Sequence, residues 1–264
     1  MSRDLGALGP IVERKRQEVQ AISCGRGAIW AKAELLPPAP GFDVLRGGRV
    51  IAELKRRSPS GGWLRPELDV PAVAAGYAAA GAAAISVLTD AADFGGSPAD
   101  LTAVRAAVAV PVLRKDFTID PVQIAEARVL GADWVLLIAA ILEGRELEAS
   151  LDAARRAGAG ALVEVHDQAE LERALVAGAS CVGINNRDLR SLRSDLATFA
   201  RLRPLLPSTV ACVAESGVRG PADVSRLVGE GADAVLVGEA LMRHPDPAAL
   251  CAELVAAGRE AAVR

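Results

Sequence analysis

An α/β fold of the closed (β/α)8 barrel class is predicted by three features of this sequence. Short runs rich in Val, Ile, Leu and Ala recur from residue 50 onward, at 50–54, 83–88, 111–115, 133–138, 161–165, 181–185, 209–214 and 234–238. Stretches with helical spacing separate them, and Gly-Ala pairs lead into several: Gly81-Ala82, Gly131-Ala132, Gly160-Ala161, Gly178-Ala179 and Gly231-Ala232. The runs are almost wholly apolar, as parallel strands are when helices bury the sheet on both faces. Strands alternating with helices over residues 50–264 suit a TIM barrel, which uses about 250 residues. The rival, an open doubly wound sheet, needs a Gly-rich dinucleotide fingerprint after its first strand, and none follows 50–54.

Residues 1–49 lie outside the repeat and read as an N-terminal helical extension packed on the barrel and covering one end of it. Residues 50–264 form the barrel, and the two make one structural domain. Within the extension, Ile11 to Ile22 has the spacing of an amphipathic helix and Trp30 to Leu36 that of a second, shorter one. Pro37-Pro38-Ala39-Pro40 then forms a stiff linker into the first strand. Val70 to Leu88 carries no charge and is long enough to span a bilayer. Pro71, Gly76 and Gly81 interrupt it, however, and its alanines fit a helix followed by a buried strand, so no membrane association is expected. Asp120-Pro121 supplies a cap and a first-turn proline to a helix from Val122 to Leu130. Asp167 to Ala177 repeats charged and apolar residues at helical spacing, and Gly220-Pro221-Ala222-Asp223 opens another helix. The glycine of each Gly-Ala pair suits the positive φ at which helices commonly end.

The composition supports this reading. At 51% hydrophobic residues the chain has ample material for a core, and only 3% aromatics suits close helix-on-sheet packing. A formal net charge of −3 gives no electrostatic case for nucleic acid. Cys24, Cys181, Cys212 and Cys251 are far apart with no CxxC, which fits a reducing cytoplasm better than a disulfide framework. The segment Met1-Ser2-Arg3-Asp4-Leu5-Gly6 has no signal-like apolar stretch.

The lysines point to chemistry. Of 30 basic residues only four are lysines, and Lys55 and Lys115 each close an apolar run. Arginine stays protonated, whereas a lysine's pKa is tuned by its surroundings, so a lysine kept at a strand end is a candidate proton donor. In such barrels functional groups sit at the C-terminal strand ends. Those ends carry Glu53 with Lys55, Lys115, Glu164, Asn185 with Arg187, Glu215 with Ser216, and Gly238. Glu53 and Lys55 point the same way because strand side chains alternate. Charges converging on one mouth cost several kcal/mol to desolvate unless paired. The set reads as an acid–base site, against the alternative of a ring of stabilising salt bridges at the rim. His166 and His244 are too few for a zinc or iron site, so no metal is expected, and His166 reads as a residue that orients a loop or caps a helix.

Phosphate is the second signal. Glu215-Ser216-Gly217 ends the seventh run and Val237-Gly238-Glu239 the eighth, where barrels often bind phosphate through backbone N–H groups. Gly217 and Gly238 would let the backbone approach an anion, provided the Glu239 side chain turns away. Ser58-Pro59-Ser60-Gly61-Gly62 reads as a mobile loop adding hydroxyl donors, with Lys55 as a nearby cation.

The segments Ile51-Ala52-Glu53-Leu54-Lys55-Arg56-Arg57-Ser58-Pro59-Ser60, Ser86-Val87-Leu88-Thr89-Asp90, Leu113-Arg114-Lys115-Asp116-Phe117 and Leu162-Val163-Glu164-Val165-His166 resemble those of the indole-3-glycerol phosphate synthase family. So do Ile184-Asn185-Asn186-Arg187-Asp188-Leu189, Ala214-Glu215-Ser216-Gly217 and Val237-Gly238-Glu239-Ala240-Leu241-Met242. The resemblance runs in order from about residue 10 to the C-terminus. It implies ring closure, decarboxylation and dehydration of 1-(2-carboxyphenylamino)-1-deoxyribulose 5-phosphate, in tryptophan biosynthesis and without a cofactor. It also implies that Lys115 is the general acid at the ribulose carbonyl. Glu164 is the base or the carboxylate facing a cationic intermediate, and Lys55 holds anionic groups and assists dehydration. Glu53, Asn185, Glu215 and Ser216 complete the polar shell. Phe94 and Phe117 cover the aryl ring, and Arg187 meets the anionic or aromatic end. The expected partner is this phosphorylated small molecule, and the expected assembly a monomer, with a weak homodimer as the alternative. The chain departs from the family at Gly61, where many members carry lysine, and over Ala28 to Leu36, which matches poorly.

Three other readings are distinguishable. A neighbouring sugar-phosphate barrel such as phosphoribosylanthranilate isomerase typically relies on a Cys/Asp pair, and no cysteine ends the first run. A Schiff-base aldolase would use Lys55 or Lys115 as nucleophile and be trapped by borohydride. A barrel kept only as a binding or scaffold module would show eroded strand ends.

Overall fold

The structure is a computed structural model that describes residues 8–22, 25–59, 61–188 and 193–263. Its strands in chain order are β1 (Arg49–Leu54), the short β2 (Arg57–Ser58) and β3 (Gly62–Trp63), β4 (Ala84–Leu88), β5 (Val112–Lys115), β6 (Trp134–Ile138), β7 (Gly160–Val165), β8 (Cys181–Asn185), β9 (Ala211–Glu215) and β10 (Ala234–Val237). All but β2 and β3 pair in parallel and close as β1-β10-β9-β8-β7-β6-β5-β4. The barrel is therefore an eight-stranded (β/α)8 barrel, with each apolar run of the sequence as one stave. β2 and β3 form an antiparallel hairpin in the segment expected to be a mobile loop. Ser60 of that loop, Leu189 of the Asn-Asn-Arg segment and Cys24 lie outside the described residues.

The helices are α1 (Gly9–Ile22), α2 (Arg26–Ala33), α3 (Val70–Ala79), α4 (Ala91–Phe94), α5 (Pro98–Ala107), α6 (Pro121–Val129), α7 (Arg145–Arg156), α8 (Gln168–Val176), α9 (Ala197–Leu202), α10 (Pro221–Gly229), α11 (Glu239–Arg243) and α12 (Pro247–Ala262). The uncharged segment from Val70 divides into α3 and the fully buried β4, and among the described residues no helix is long and apolar enough to cross a membrane. Local chemistry starts the helices. The Asp120 side chain accepts from Val122 N–H while Gln123 returns a bond to Asp120 N–H, with Pro121 in the first turn. The second helix begins earlier than its sequence predicts, at Arg26 instead of Trp30, and residues 34–36 form a turn.

Four of the five Gly-Ala glycines take positive φ, from 84° at Gly178 to 101° at Gly231. Gly160 is the exception. The positive φ after α7 belongs to Gly158, and a Cβ on Gly160 would strike the rings of Trp134 and Phe42.

The extension threads from one end of the barrel to the other. α1 lies at the C-terminal mouth, where Lys15 pairs with Asp90 and Asp116 just past β4 and β5. α2 descends along α6. The proline linker then passes under the N-terminal face, tied by Ala39 N–H to Gly158 O (2.8 Å) and Trp134 Nε1 to Pro40 O (2.8 Å). On that face two Gly-Ala-Asp segments do the same work. Asp133 accepts from Val112 N–H and Arg105, and Asp233 from Cys212 N–H and Arg46. Each carboxylate thus stitches the start of the preceding strand to an outer arginine, a stabilising use of the face remote from chemistry.

Candidate active site

Alternation along the strands aims every second side chain into the barrel. Glu53 in β1 and Lys55 just past its end face one way; Lys115 closes β5, Glu164 lies in β7, and Asn185 and Glu215 end β8 and β9. Register brings neighbours level: Glu53 opposite Ser86, and Asn185 opposite Glu215. These residues meet around a cavity of about 400 Å³ at the C-terminal mouth.

Two ion-pair clusters occupy it. Lys115 Nζ lies 2.7 Å from Glu164 Oε2 and 3.0 Å from Glu215 Oε2. Lys55 Nζ donates to Glu53 Oε1 at 2.6 Å. Asn185 Nδ2 donates to the second Glu164 oxygen at 3.0 Å. Neither barrel ammonium is left without a carboxylate, which offsets the desolvation each charge would otherwise suffer. Asn186 acts as a strut. Its amide donates to Glu215 O and its carbonyl accepts from Phe199 N–H.

Burial opposes the charge on Lys115, but Glu164, Glu215 and Glu53 outweigh it and hold the ammonium above the ordinary lysine range. Burial likewise pushes Glu164 up, yet Lys115 and His166 prevail and keep it well below the ordinary carboxylate range. Glu215 goes the other way. Burial, with Glu164 and Glu53 adding repulsion, raises it to about 7 despite Lys115. Three acids and bases in contact are thus held in different protonation states, the arrangement general acid–base chemistry needs.

Glycines make room for these side chains. A Cβ on Gly183 would strike the Glu215 carboxylate, and one on Gly238 would strike Glu53 and approach Lys55 Nζ at 2.9 Å. Gly238 therefore accommodates the Lys55–Glu53 pair, a tighter requirement than the anion approach expected of it. Gly217 takes φ 85°, and Ser216 beside it takes φ 64°, the one non-glycine at positive φ among the described residues. Such strain costs about 1–3 kcal/mol and clusters at functional sites. Ser58, Ser216, Gly217, Gly238 and Glu239 form the wall on the adjacent β1, β9 and β10 side. Arg187 contributes its guanidinium there, and Glu239 turns towards Arg187 (3.8 Å) and Arg243 (3.0 Å).

The opposite wall, from β4 to β6, carries the aromatic and much of the apolar lining, beside Lys115, Asp93 and Asp116. Phe94 and Phe117 face each other with ring centroids 6.2 Å apart, joined by Leu136 and Ile138. α1 completes this end with Pro10, Ile11 and Arg14. Sequence reasoning missed what fastens it. Lys15 is only 2% exposed, and its Nζ reaches Glu18, Asp90 and Asp116 at 2.8–2.9 Å. Burial works against that charge, but Asp116, Glu18 and Asp90 hold it above the ordinary lysine value. Asp90 caps α4, which carries Phe94, and Asp116 directly precedes Phe117, so Lys15, with Arg14 also on Asp90, ties both to α1. Its signal was present, since Lys15 is another of the four lysines in an arginine-rich chain. His166 was read as a loop orienter; its ring stands against Glu164.

All fourteen side chains or glycines expected at the site from the sequence, from Glu53 to Glu239, line this cavity. The family described as indole-3-glycerol phosphate synthase matches residues 8–254. The indole-3-glycerol phosphate synthase of Parafrankia sp. (strain EAN1pec) is 51% identical over 265 residues, covering 98% of this chain and 99% of its own. That of Mycobacterium ulcerans (strain Agy99) is 48% identical, covering 95% and 94%. That of Kineococcus radiotolerans is 55% identical over 219 residues, covering 83% and 80%. Among solved structures, a thiamine phosphate pyrophosphorylase from Pyrococcus furiosus aligns with a TM-score of 0.63 at 17% identity, covering 83% of this chain and 99% of that one. At that identity the likeness concerns the fold alone.

Proposed function

The chain belongs to the indole-3-glycerol phosphate synthase family, and on that premise we propose which of its residues carry each step. The activity is that of a carboxy-lyase in tryptophan biosynthesis. 1-(2-Carboxyphenylamino)-1-deoxyribulose 5-phosphate closes a ring and loses carbon dioxide and water to give indole-3-glycerol phosphate.

In the proposed assignment Lys115 gives a proton to the ribulose carbonyl oxygen while the ring carbon bearing the carboxylate attacks the carbonyl carbon. The new bond leaves a cation spread over the ring and its nitrogen, and Glu164 faces it. Cleavage of the bond to the carboxylate returns an electron pair to the ring and restores aromaticity. The hydroxyl then leaves as water with Lys55 assisting, and Glu164 takes the proton from the neighbouring carbon. Glu215, held at about 7 and touching Lys115, is suited to return a proton to it. Ser216, Gly217, Gly238 and the Glu239 backbone would hold the phosphate, with Ser58 and Arg187 adding donors. Phe94 and Phe117 would enclose the aryl ring. Fixing both ends of the substrate sets the reacting carbons together, and the charged cluster is preorganised before they react.

The observation that carries this reading is the Lys115 ammonium between two carboxylates, 2.7 and 3.0 Å away, at a cavity with its aromatic lining gathered on one side. Every residue given a role above lines a cavity within one chain, so the assignment needs no second subunit and we take the protein as a monomer. Buried thiols at Cys181, Cys212 and Cys251 support a reducing, cytoplasmic setting. We likewise take residues 1–49 and 50–264 as one folding unit, since α1 closes the mouth of the barrel.

The test is to supply the anilino-deoxyribulose phosphate without added metal and follow indole fluorescence. Turnover with no borohydride-trapped protein adduct is expected. A trapped imine on Lys115 or Lys55, or no product, would overturn the assignment.

A further inference from the structure

We propose that His166 is a positioning residue for Glu164, fixing the orientation of that carboxylate and keeping it ionised while the substrate reacts. The inference rests on the assignment of Glu164 above.

His166 follows β7 directly and is clamped at both ends of its ring. Nδ1 lies 3.1 Å from Glu170 Oε2, an oxygen that also accepts the His166 backbone N–H at 2.8 Å. Glu170 sits in the first turn of α8, where its own N–H donates to the capping Asp167. Nε2 points the other way, 3.3 Å from Glu164 Oε1. It is buried and makes no well-aligned hydrogen bond among the described residues. A buried nitrogen held this way against a carboxylate calls for an explanation. The ring is not among the cavity-lining residues, so any effect on the reaction passes through Glu164.

The groups facing Glu164 show why a second cation matters. Lys115 approaches from β5, Asn185 from β8, and Glu215 from β9 as a repelling neighbour. When Lys115 passes its proton to the substrate, Glu164 loses its main counter-charge. His166 is the cation that remains beside it without touching substrate. Although burial opposes its charge, Glu164 and Glu170 raise the imidazole to about 10, so the ring is charged at neutral pH.

The experiment compares wild type, His166→Asn and His166→Ala from about pH 3 to pH 9, the lower end being needed because Glu164 is held well below the ordinary carboxylate range, reading kcat, KM and thermal midpoint. It adds a 13C titration of the Glu164 carboxyl, assigned with Glu164→Gln. His166→Ala should lower kcat about tenfold with KM within about twofold, and move the acid limb up by about one pH unit. His166→Asn, which keeps a donor but no charge, should recover part of kcat and leave the limb displaced. In the titration, the Glu164 midpoint should rise in both variants. An unchanged midpoint overturns the proposal whatever the turnover, as does wild-type kcat in His166→Ala. If wild type makes no indole product, the functional assignment falls instead, and the titration still decides the coupling.

Discussion

Glu215→Gln should make this protein more stable, and by an amount that depends on pH. The carboxyl is 1% exposed, one oxygen has no hydrogen-bond partner among the described residues, and Gly183 is kept bare to admit it. Its folded pKa is raised from 4.5 to about 7. The sign follows from linkage. A carboxyl that binds its proton more tightly when folded loses stability as pH rises from the unfolded to the folded value, and carries the full penalty above it. At about 1.4 kcal/mol per pH unit the ionised group costs about 3 kcal/mol at pH 8 and under about 1 kcal/mol at pH 5. Glutamine stands in for the neutral acid at both pH values. Urea unfolding at pH 8 and pH 5 should therefore show Glu215→Gln more stable by about 3 kcal/mol at pH 8, with most of that gain gone at pH 5. Turnover should fall, because a side chain held at a cost to stability in an active site is kept for its chemistry. A variant less stable than wild type at pH 8, or a gain equal at both pH values, would refute the account of Glu215.

Gly183→Ala places a methyl group against the same carboxylate; turnover should drop at least about tenfold while the thermal midpoint moves by only a few degrees, corresponding to roughly 1 kcal/mol. Lys55→Ala frees Glu53 from its 2.6 Å partner, and steady-state kinetics should show both a higher KM and a lower kcat. Lys15→Met takes from Asp90 and Asp116 the cation they share but leaves them Arg14 and Arg114, and urea unfolding should register a loss of about 2 kcal/mol. Asp233→Ala cuts the bonds to Cys212 N–H and Arg46 on the remote face, and should cost about 2 kcal/mol of stability with kcat unchanged at 25 °C.

Much of this was legible in the residues alone because the barrel repeats. Each apolar run became a stave and each run end a position at the mouth, so Lys115, Glu164 and Glu215 were placed by topology before any distance was known. What escaped lay where sequence order and space part company. Lys15 precedes Asp116 by about a hundred positions, and nothing in its amphipathic helix tells which turn faces the mouth. The pairing of His166 with Glu164 needed the ring's rotation as well as its place. Gly160 and Gly238 looked like turn and anion-binding glycines, but the reason for each is a neighbour, Trp134 or Glu53, that only packing reveals. The hairpin of β2 and β3 was invisible because two-residue strands carry too little pattern to rise above a Ser-Pro-Ser-Gly-Gly loop.

The most direct measurement is single-turnover ring closure by Lys115→Arg beside wild type, with the folded state of both checked by thermal melting. Arginine preserves the positive charge between Glu164 and Glu215 but does not release a proton near neutral pH. A fall of about 10²- to 10⁴-fold in the closure rate, the span of general acid catalysis, with a melting midpoint close to wild type, is the predicted result. Closure at the wild-type rate would contradict the assignment of Lys115 as the proton donor, and with it the account of the mouth as an acid–base site.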